Sequence, residues 1–472
     1  MQDRRTRLAL AATVFGTLAV ALVYTIGTGD LRLTAIVAGL AVAPALLVLA
    51  LKRSYLFPYG LYVVLVPFDN MLKISGSGTL TKMLGIASAF FIAVYAFRRK
   101  GLNQPPLALY FWIAYFAWTL ISIMWSGDMS EAMLDIQQTF SLVALLAVLS
   151  VAPVEERDVR AICACIVFGG IAASLYGMYL LHDAPQIAGD NGRLMINVAN
   201  RTIDPNHFAN SLLAPLAISA VALLNARKPS RLFFSAIALL IIGAGIVMSL
   251  SREALIATLV LGGVLLWFSR RRIVGMILGL TIGVPVLAGL VMLFPQIGIR
   301  MSEAFSTGGA GRTSIWQVGW LAWQQRPFFG WGAGGALDAY DRNYLSVFQF
   351  YNAGWGRPPH NTPLHALIEL GIVGGLLMAA AYFTTFRPLR RIPRGHRLYD
   401  LRVAFTAALV ALGVCSLFID LANYKYVWII YATIAQIGVL ARLRSGDIAA
   451  VSYVPPPVPR RVRVRSVEPA PS

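Results

Sequence analysis

The sequence predicts an all-α fold: a polytopic transmembrane helix bundle of 12–14 spans with one large, partly helical loop on its outer face. Three observations predict it. Of the 472 residues, 58% are hydrophobic and only 13% charged, whereas a soluble domain is about 45–50% apolar and about 25% charged. Mean hydropathy is +0.68. The apolar residues also gather in runs near the roughly 20 residues that a helix needs to cross a bilayer. Disorder is excluded, since disordered chains are poor in apolar residues.

Scanned in order, the candidate spans are 8–27, 31–51, 54–69, 80–97, 106–125, 133–152, 159–181, 206–225, 232–250, 253–268, 273–295, 362–386, 402–421 and 424–441. Two are short: 54–69 carries Pro58 and Pro67, and 253–268 begins with charges. The first run resembles a signal-peptide core, but no small-residue cleavage site follows it, so a retained helix is expected. The domain organisation that follows is a first bundle at 1–295, a large outer loop at 296–361, further membrane helices at 362–441 and a tail at 442–472.

Orientation follows from the basic residues, because cytoplasmic loops collect Lys and Arg. With the N-terminus inside and the spans alternating, inside segments carry 28 of the 40 basic and 7 of the 21 acidic residues. That leaves 12 and 14 outside, a balance of +21 against −2. "FRRK", "SRRR" and "RPLRRIPRGHR" all fall inside. The net charge of +19 is therefore an orientation signal, and no nucleic-acid partner is expected. The tail "YVPPPVPRRVRVRSVEPAPS" is Pro-rich and basic, and reads as disordered and cytoplasmic. Its arginines suit anionic membrane lipids. Cys163, Cys165 and Cys415 sit in apolar runs as small hydrophobes. No metal site or cofactor is expected, and no matched pair of broken helices of the transporter kind is visible.

The long loops, 182–205 and 296–361, both lie outside. The second holds five of the ten tryptophans. Trp316, Trp320 and Trp323 recur at i, i+4, i+7, one face of a helix that Pro327 stops. An amphipathic helix of this kind anchors at the membrane boundary or forms a lid. In "PFFGWGAGGALDAY" the glycines Gly330, Gly332, Gly334 and Gly335 let the chain turn tightly; no strand precedes them, so a nucleotide fingerprint is dismissed. At the loop's end Asn361 or Thr362 caps the next helix and Pro363 enters its first turn. His365 and Glu369 then share one helix face within the span, where a carboxylate is costly and usually functional.

More polar residues stand at outer helix ends. "MSLSREAL" supplies Arg252 and Glu253, "NVANRTIDPNHFAN" supplies Arg201, Asp204, Asn206 and His207, and the large loop adds Arg312. Guanidinium forks hold phosphate bidentately. Arg201, Arg252 and Arg312 on one side of apolar walls point to an anionic lipid head.

These residues carry a resemblance. "DPNHFAN" (204–210), "SREA" (251–254), "GRTSIWQVGWLAWQQRPFFGWGAG" (311–334) and "PPHNTPLHALIELGIVGG" (358–375) stand in the order of the motifs of the O-antigen ligase and O-antigen polymerase superfamily, and the chain resembles that superfamily over about 200–380. "WTLISIMWSGD" (118–128) has the same look. The resemblance implies a metal-independent, inverting glycosyltransferase of the bacterial inner membrane, with both termini cytoplasmic and a periplasmic site. Its implied partners are a glycan donor linked to undecaprenyl pyrophosphate and a glycan or lipid A–core acceptor. By carry-over Arg252 and Arg312, joined by Arg201, hold the pyrophosphate, and His360 acts on the acceptor hydroxyl. Asn361, Glu369, His365 and Asn206 support them. One departure is Glu253, where the motif more often has Gly; it is expected to crowd or tune Arg252. A repeat-unit polymerase of the same superfamily and a lipid-linked glycan transporter remain the alternatives.

Overall fold

The computed structural model describes residues 46–74, 78–99, 101–183, 193–195, 197–198, 201–202, 204–269, 289, 292, 312–348 and 356–452, with backbone alone for 70, 73–74, 197–198, 201–202 and 443–452. The candidate spans 8–27 and 273–295, most of 31–51, and the tail beyond residue 452 lie outside the described residues.

The chain is an all-α bundle. Its helices are α1 (Tyr59–Leu65), α2 (Leu80–Arg98), α3 (Leu107–Ser122), α4 (Met129–Val151), α5 (Glu156–Asp183), α6 (Pro205–Ser211), α7 (Leu213–Leu224), α8 (Pro229–Met248), α9 (Arg252–Phe268), α10 (Arg312–Gln325), α11 (Ala336–Val347), α12 (Thr362–Thr385), α13 (Arg387–Arg390), α14 (Tyr399–Ser416) and α15 (Lys425–Ser452). The only described strands are two short antiparallel hairpins, β1 (Lys73–Ile74) with β2 (Gly78–Thr79), and β3 (Asn197–Val198) with β4 (Arg201–Thr202). Among the described residues, eight helical stretches are long and apolar enough to cross a membrane. The chain is a multi-pass membrane protein.

Local chemistry fixes where the helices start. Thr79, Asp128, Asp204, Ser251 and Asn361 each accept a backbone N–H of the first turn that follows, a bond that side-chain oxygens at this position supply. Pro205 and Pro363 occupy first turns, where the missing N–H costs nothing. The two short candidates resolve differently. Residues 59–65 give only a seven-residue helix that passes into a 3₁₀ turn at Val66–Leu72. The run at 253–268 is a full helix of 17 residues.

The main core lies where α5 to α9, α14 and α15 meet, around Ile162, Phe208, Leu213, Ile242, Leu261, Phe405 and Ile437. Against this bundle packs a smaller unit of α10 and α11. Ile315, Val318, Gly319 and Ala322 form the buried face of α10. A Cβ at Gly319 would come within about 3.1 Å of Leu364 and Ile368 on α12, so glycine sets that approach. The tryptophans flank this face: Trp316 and Trp323 pack beside Ala322, Trp331, Leu364 and Ile368, while Trp320 is half exposed.

α12 is interrupted at Gly371, whose φ is +64°. The carbonyls freed by the break do not go unbonded. Trp331 N–H bonds Ile368 O (2.8 Å), Gly332 N–H bonds Glu369 O (2.8 Å) and Trp118 Nε1 bonds Leu370 O (3.0 Å), while Ile372 N–H reaches Pro327 O (2.8 Å). Broken helices survive at membrane depth only where protein re-satisfies the backbone in this way. The glycine run 330–335 is the turning partner of the break: Gly330, Gly332 and Gly334 all take positive φ, and a Cβ at Gly330 would sit 2.3 Å from Glu369 O.

Candidate functional site

The site forms where the start of α12 meets the gap between α14 and α15. The candidate span 402–421 ends early: α14 stops at Ser416, and residues 417–424 turn. The physical reason is that α12 takes over the loose carbonyls. Asn361 Nδ2 donates to Leu417 O (2.9 Å) and Thr362 Oγ1 donates to Ile419 O (3.0 Å), while Leu421 N–H donates back to Thr362 Oγ1 (2.9 Å). Asn361 therefore caps its own helix and staples a second one, and Asp420 is brought beside His365.

His365 Nε2 lies 3.1 Å from Glu369 Oε1, and its Nδ1 bonds Asp420 Oδ2. Both ring nitrogens thus meet carboxylates. Glu369 Oε1 also accepts Ala336 N–H (3.2 Å) from the glycine loop. Burial works to raise the Asp420 carboxyl, yet the facing His365 imidazole and the Ala422 N–H hold it at about 2. Asn423 extends the array by donating to Asp135 Oδ1 (2.6 Å).

His360 sits one residue before the cap. Among the described residues only Leu250 and His360 are non-glycine residues with positive φ, +53° and +46°. Such conformations cost energy and gather at functional sites; here one precedes Ser251 and Arg252, and the other is the candidate base. Burial, then the Arg312 guanidinium, push the His360 imidazole below its ordinary value, with Asp204 and Asp420 opposing. His360 is therefore neutral near pH 7, the form that accepts a proton.

Arg312 opens α10 and reaches Glu253 at the start of α9, Nη1 to Oε2 2.7 Å. Glu253 is 4% exposed and Arg312 20%, so the carboxylate is compensated by the pair. The acid in "SREA" thus engages Arg312, a partner the sequence did not announce. Arg252 is half-buried in the first turn of α9. Arg201 lies on β4, three residues before the cap Asp204; its side chain is outside the described residues. Asn206 is present, but engaged by a residue the sequence did not single out: Arg193 Nη2 donates to Asn206 Oδ1 (2.8 Å) and its Nε to Ser249 O (3.0 Å). His207 stacks on Tyr424, ring centroids 3.7 Å apart, with Tyr426 hydroxyl 3.4 Å from its Nδ1.

The structure thus brings Arg312, His360, Glu253, Asp204 and Asp420 into one electrostatic neighbourhood, with His365 and Glu369 behind it. Arg193 and Asp420 were not read as site residues. Asp420 lay inside an apolar run where a lone carboxylate is itself a signal; Arg193 lay in a polar loop and carried none. Two cavities adjoin. An apolar cavity of about 590 Å³ follows α12 from Thr362 and Leu367 to Tyr382 and Phe386. An open one of about 820 Å³ lies between Trp316, Trp320, Asn361 and Leu364.

Compared with known proteins, residues 212–379 match the family model described as O-Antigen ligase. The matched segment spans α9, α10 and the first part of α12, and it bears out the resemblance to the O-antigen ligase superfamily. No curated protein matches the chain.

Proposed function

We propose that this membrane glycosyltransferase-like protein, whose 212–379 segment is of the O-antigen ligase family, transfers a glycan from undecaprenyl pyrophosphate to an acceptor sugar hydroxyl on the periplasmic side. The acceptor is lipid A–core or a similar glycan. One observation carries the reading: the Arg312 guanidinium acts electrostatically on a neutral His360 of positive φ, two residues before Thr362, where an apolar cavity begins along α12.

The chemistry fits the groups present. The acceptor O–H is a poor nucleophile, and neutral His360 takes its proton as the oxygen bonds the anomeric carbon. The bond from that carbon to the diphosphate breaks, and its electron pair leaves on the diphosphate oxygen. Arg312, with Arg252 and Arg201 from two further elements, meets the charge that develops there. Glu253 orients Arg312 while engaging a single N–H among the described residues. Attack opposite the leaving diphosphate gives inversion. The cavity along α12 suits an isoprenoid chain. The reading assigns Asn361, His365, Glu369 and Asn206 to positioning: Asn361 fixes the backbone after His360, His365 and Glu369 hold Asp420, and Asn206 holds Arg193.

The test is transfer by the purified protein from lipid-linked glycan to lipid A–core. Product with wild type and none with His360→Ala is expected. Product that appears only with a second lipid-linked unit as acceptor points to a polymerase instead. Movement of donor between leaflets without any product points to a transporter.

A further inference from the structure

At the far end of α12 lies a second polar cavity, of about 380 Å³, unconnected with the proposed transfer. It is built from the chain just before α3, the α12–α13 junction and the end of the apolar stretch of α15. Arg387, Arg391 and Arg442 line it, with Thr384 beside them. Arg442 Nη2 donates to Gln104 O (2.9 Å). Among the described residues no carboxylate bridges any of the three. Four of the described acids at this end are engaged elsewhere: Asp400 with Arg160 (2.9 Å), Glu156 with Arg160 and Arg397 (3.1 and 2.8 Å), and Glu155 and Asp158 with Arg157 (2.9 and 3.9 Å). Burial, then the neighbouring Arg391, push the Arg442 guanidinium down. A fold that half-buries one guanidinium against another without a counter-charge gains by binding an anion between them.

The backbone under the cluster is rigid. Pro388 packs against Gly438, where a Cβ would come within 2.7 Å, so α13 and α15 are locked face to face. The cavity's remaining wall is apolar and outward-facing: Leu107 is 39% and Tyr110 57% exposed. These residues sit where hydrocarbon would surround the bundle. A pocket with cationic forks on one side and an apolar wall on the other suits an amphiphile more than a dissolved ion.

We propose that this cavity binds the phosphate of an anionic lipid headgroup, with Arg391 and Arg442 as its forks and the acyl chains along Leu107 and Tyr110. By the charge asymmetry of the sequence that lipid belongs to the cytoplasmic leaflet.

The experiment uses the full chain in detergent, titrated with phosphatidylglycerol or with phosphatidylcholine of the same acyl chains, and bound lipid read by native mass spectrometry. Phosphatidylglycerol is expected to bind at least about tenfold more tightly than phosphatidylcholine. The double variant Arg391→Gln/Arg442→Gln should lose about tenfold or more, since each guanidinium fork on a phosphate is a charge-assisted hydrogen bond worth roughly tenfold. Arg390→Gln/Arg394→Gln removes the same charge at the same end without touching the cavity, and should change binding little. Arg391→Lys/Arg442→Lys reports on folding and should keep part of the affinity. Equal losses in the two Gln doubles would overturn the site in favour of bulk charge. Displacement of the lipid by millimolar inorganic phosphate would overturn the lipid as occupant and leave a free-anion site.

Discussion

At the His360 end of α12 three half-buried basic groups are matched by acids. Arg312 meets Glu253, His365 lies between Glu369 and Asp420, and Lys425 Nζ bonds both oxygens of Asp69 at 2.7 Å. At the other end Arg387, Arg391 and Arg442 share a cavity with no acid against them among the described residues. Matched pairs hold side chains in place and keep the local charge low, so that geometry decides what binds. Unmatched arginines leave a standing positive potential, which draws anions. One helix thus joins a fixed site to an attracting surface.

The comparison breaks first if the fixed end has no chemistry. His360→Ala is predicted to lower transfer by about 10²–10⁴-fold, the usual contribution of a positioned base, with an unchanged thermal midpoint. Transfer assays on protein of intact midpoint check it, and wild-type rates would remove His360 from the mechanism.

The next largest effect concerns stability. Arg312→Ala leaves the Glu253 carboxylate buried and unpaired, which costs about 3–5 kcal/mol. Adding Glu253→Gln should recover most of it. Unfolding in detergent tells the two apart; a double variant as unstable as the single would show that the pair is not what matters. Gly371→Ala tests the break in α12. The positive φ alone costs about 1–3 kcal/mol, and the new Cβ would lie 2.2 Å from Phe328 O, so a fall in midpoint is expected together with release of the glycine loop to proteolysis.

A smaller effect sharpens the electrostatics. The His360 imidazole is pushed below its ordinary 6.5 by burial and by Arg312, and only the neutral ring accepts a proton. Transfer should therefore hold as pH falls to 6.5 and drop only below it. The same depression favours the neutral folded form, a stability contribution present above the unfolded pKa and lost as pH falls through the folded one. Arg312→Gln removes the second cause, so the acid limb should move up toward 6.5; a pH–rate profile reads it. The smallest effect is at the other end. Arg160 and Asp400 are 43% and 32% exposed, and Arg160→Ala should cost no more than about 1 kcal/mol in the same unfolding measurement.

Much of the bundle was legible because its signals are local. The cap at Asn361, the tight turns of Gly330 to Gly334, and the face shared by His365 and Glu369 are each written within a few residues. The unread parts are pairings across distance. Nothing near Glu253 in the chain announces Arg312, 59 residues away, and nothing near His365 announces Asp420, 55 residues on. The break at Gly371 is equally silent, since its cost is met by backbone groups from the glycine loop and by Trp118.

By itself the sequence determined that this chain enters a membrane, where many of its helices run, and which residue types stand at their ends. Hydropathy and side-chain capping act over one or two helical turns, so order along the chain suffices for them. Only the tertiary structure decided which acid answers which arginine, that Asp420 meets His365, and that three arginines at the opposite end meet around one cavity. A buried charge must find its partner in space, and where that partner sits depends on how every helix packs.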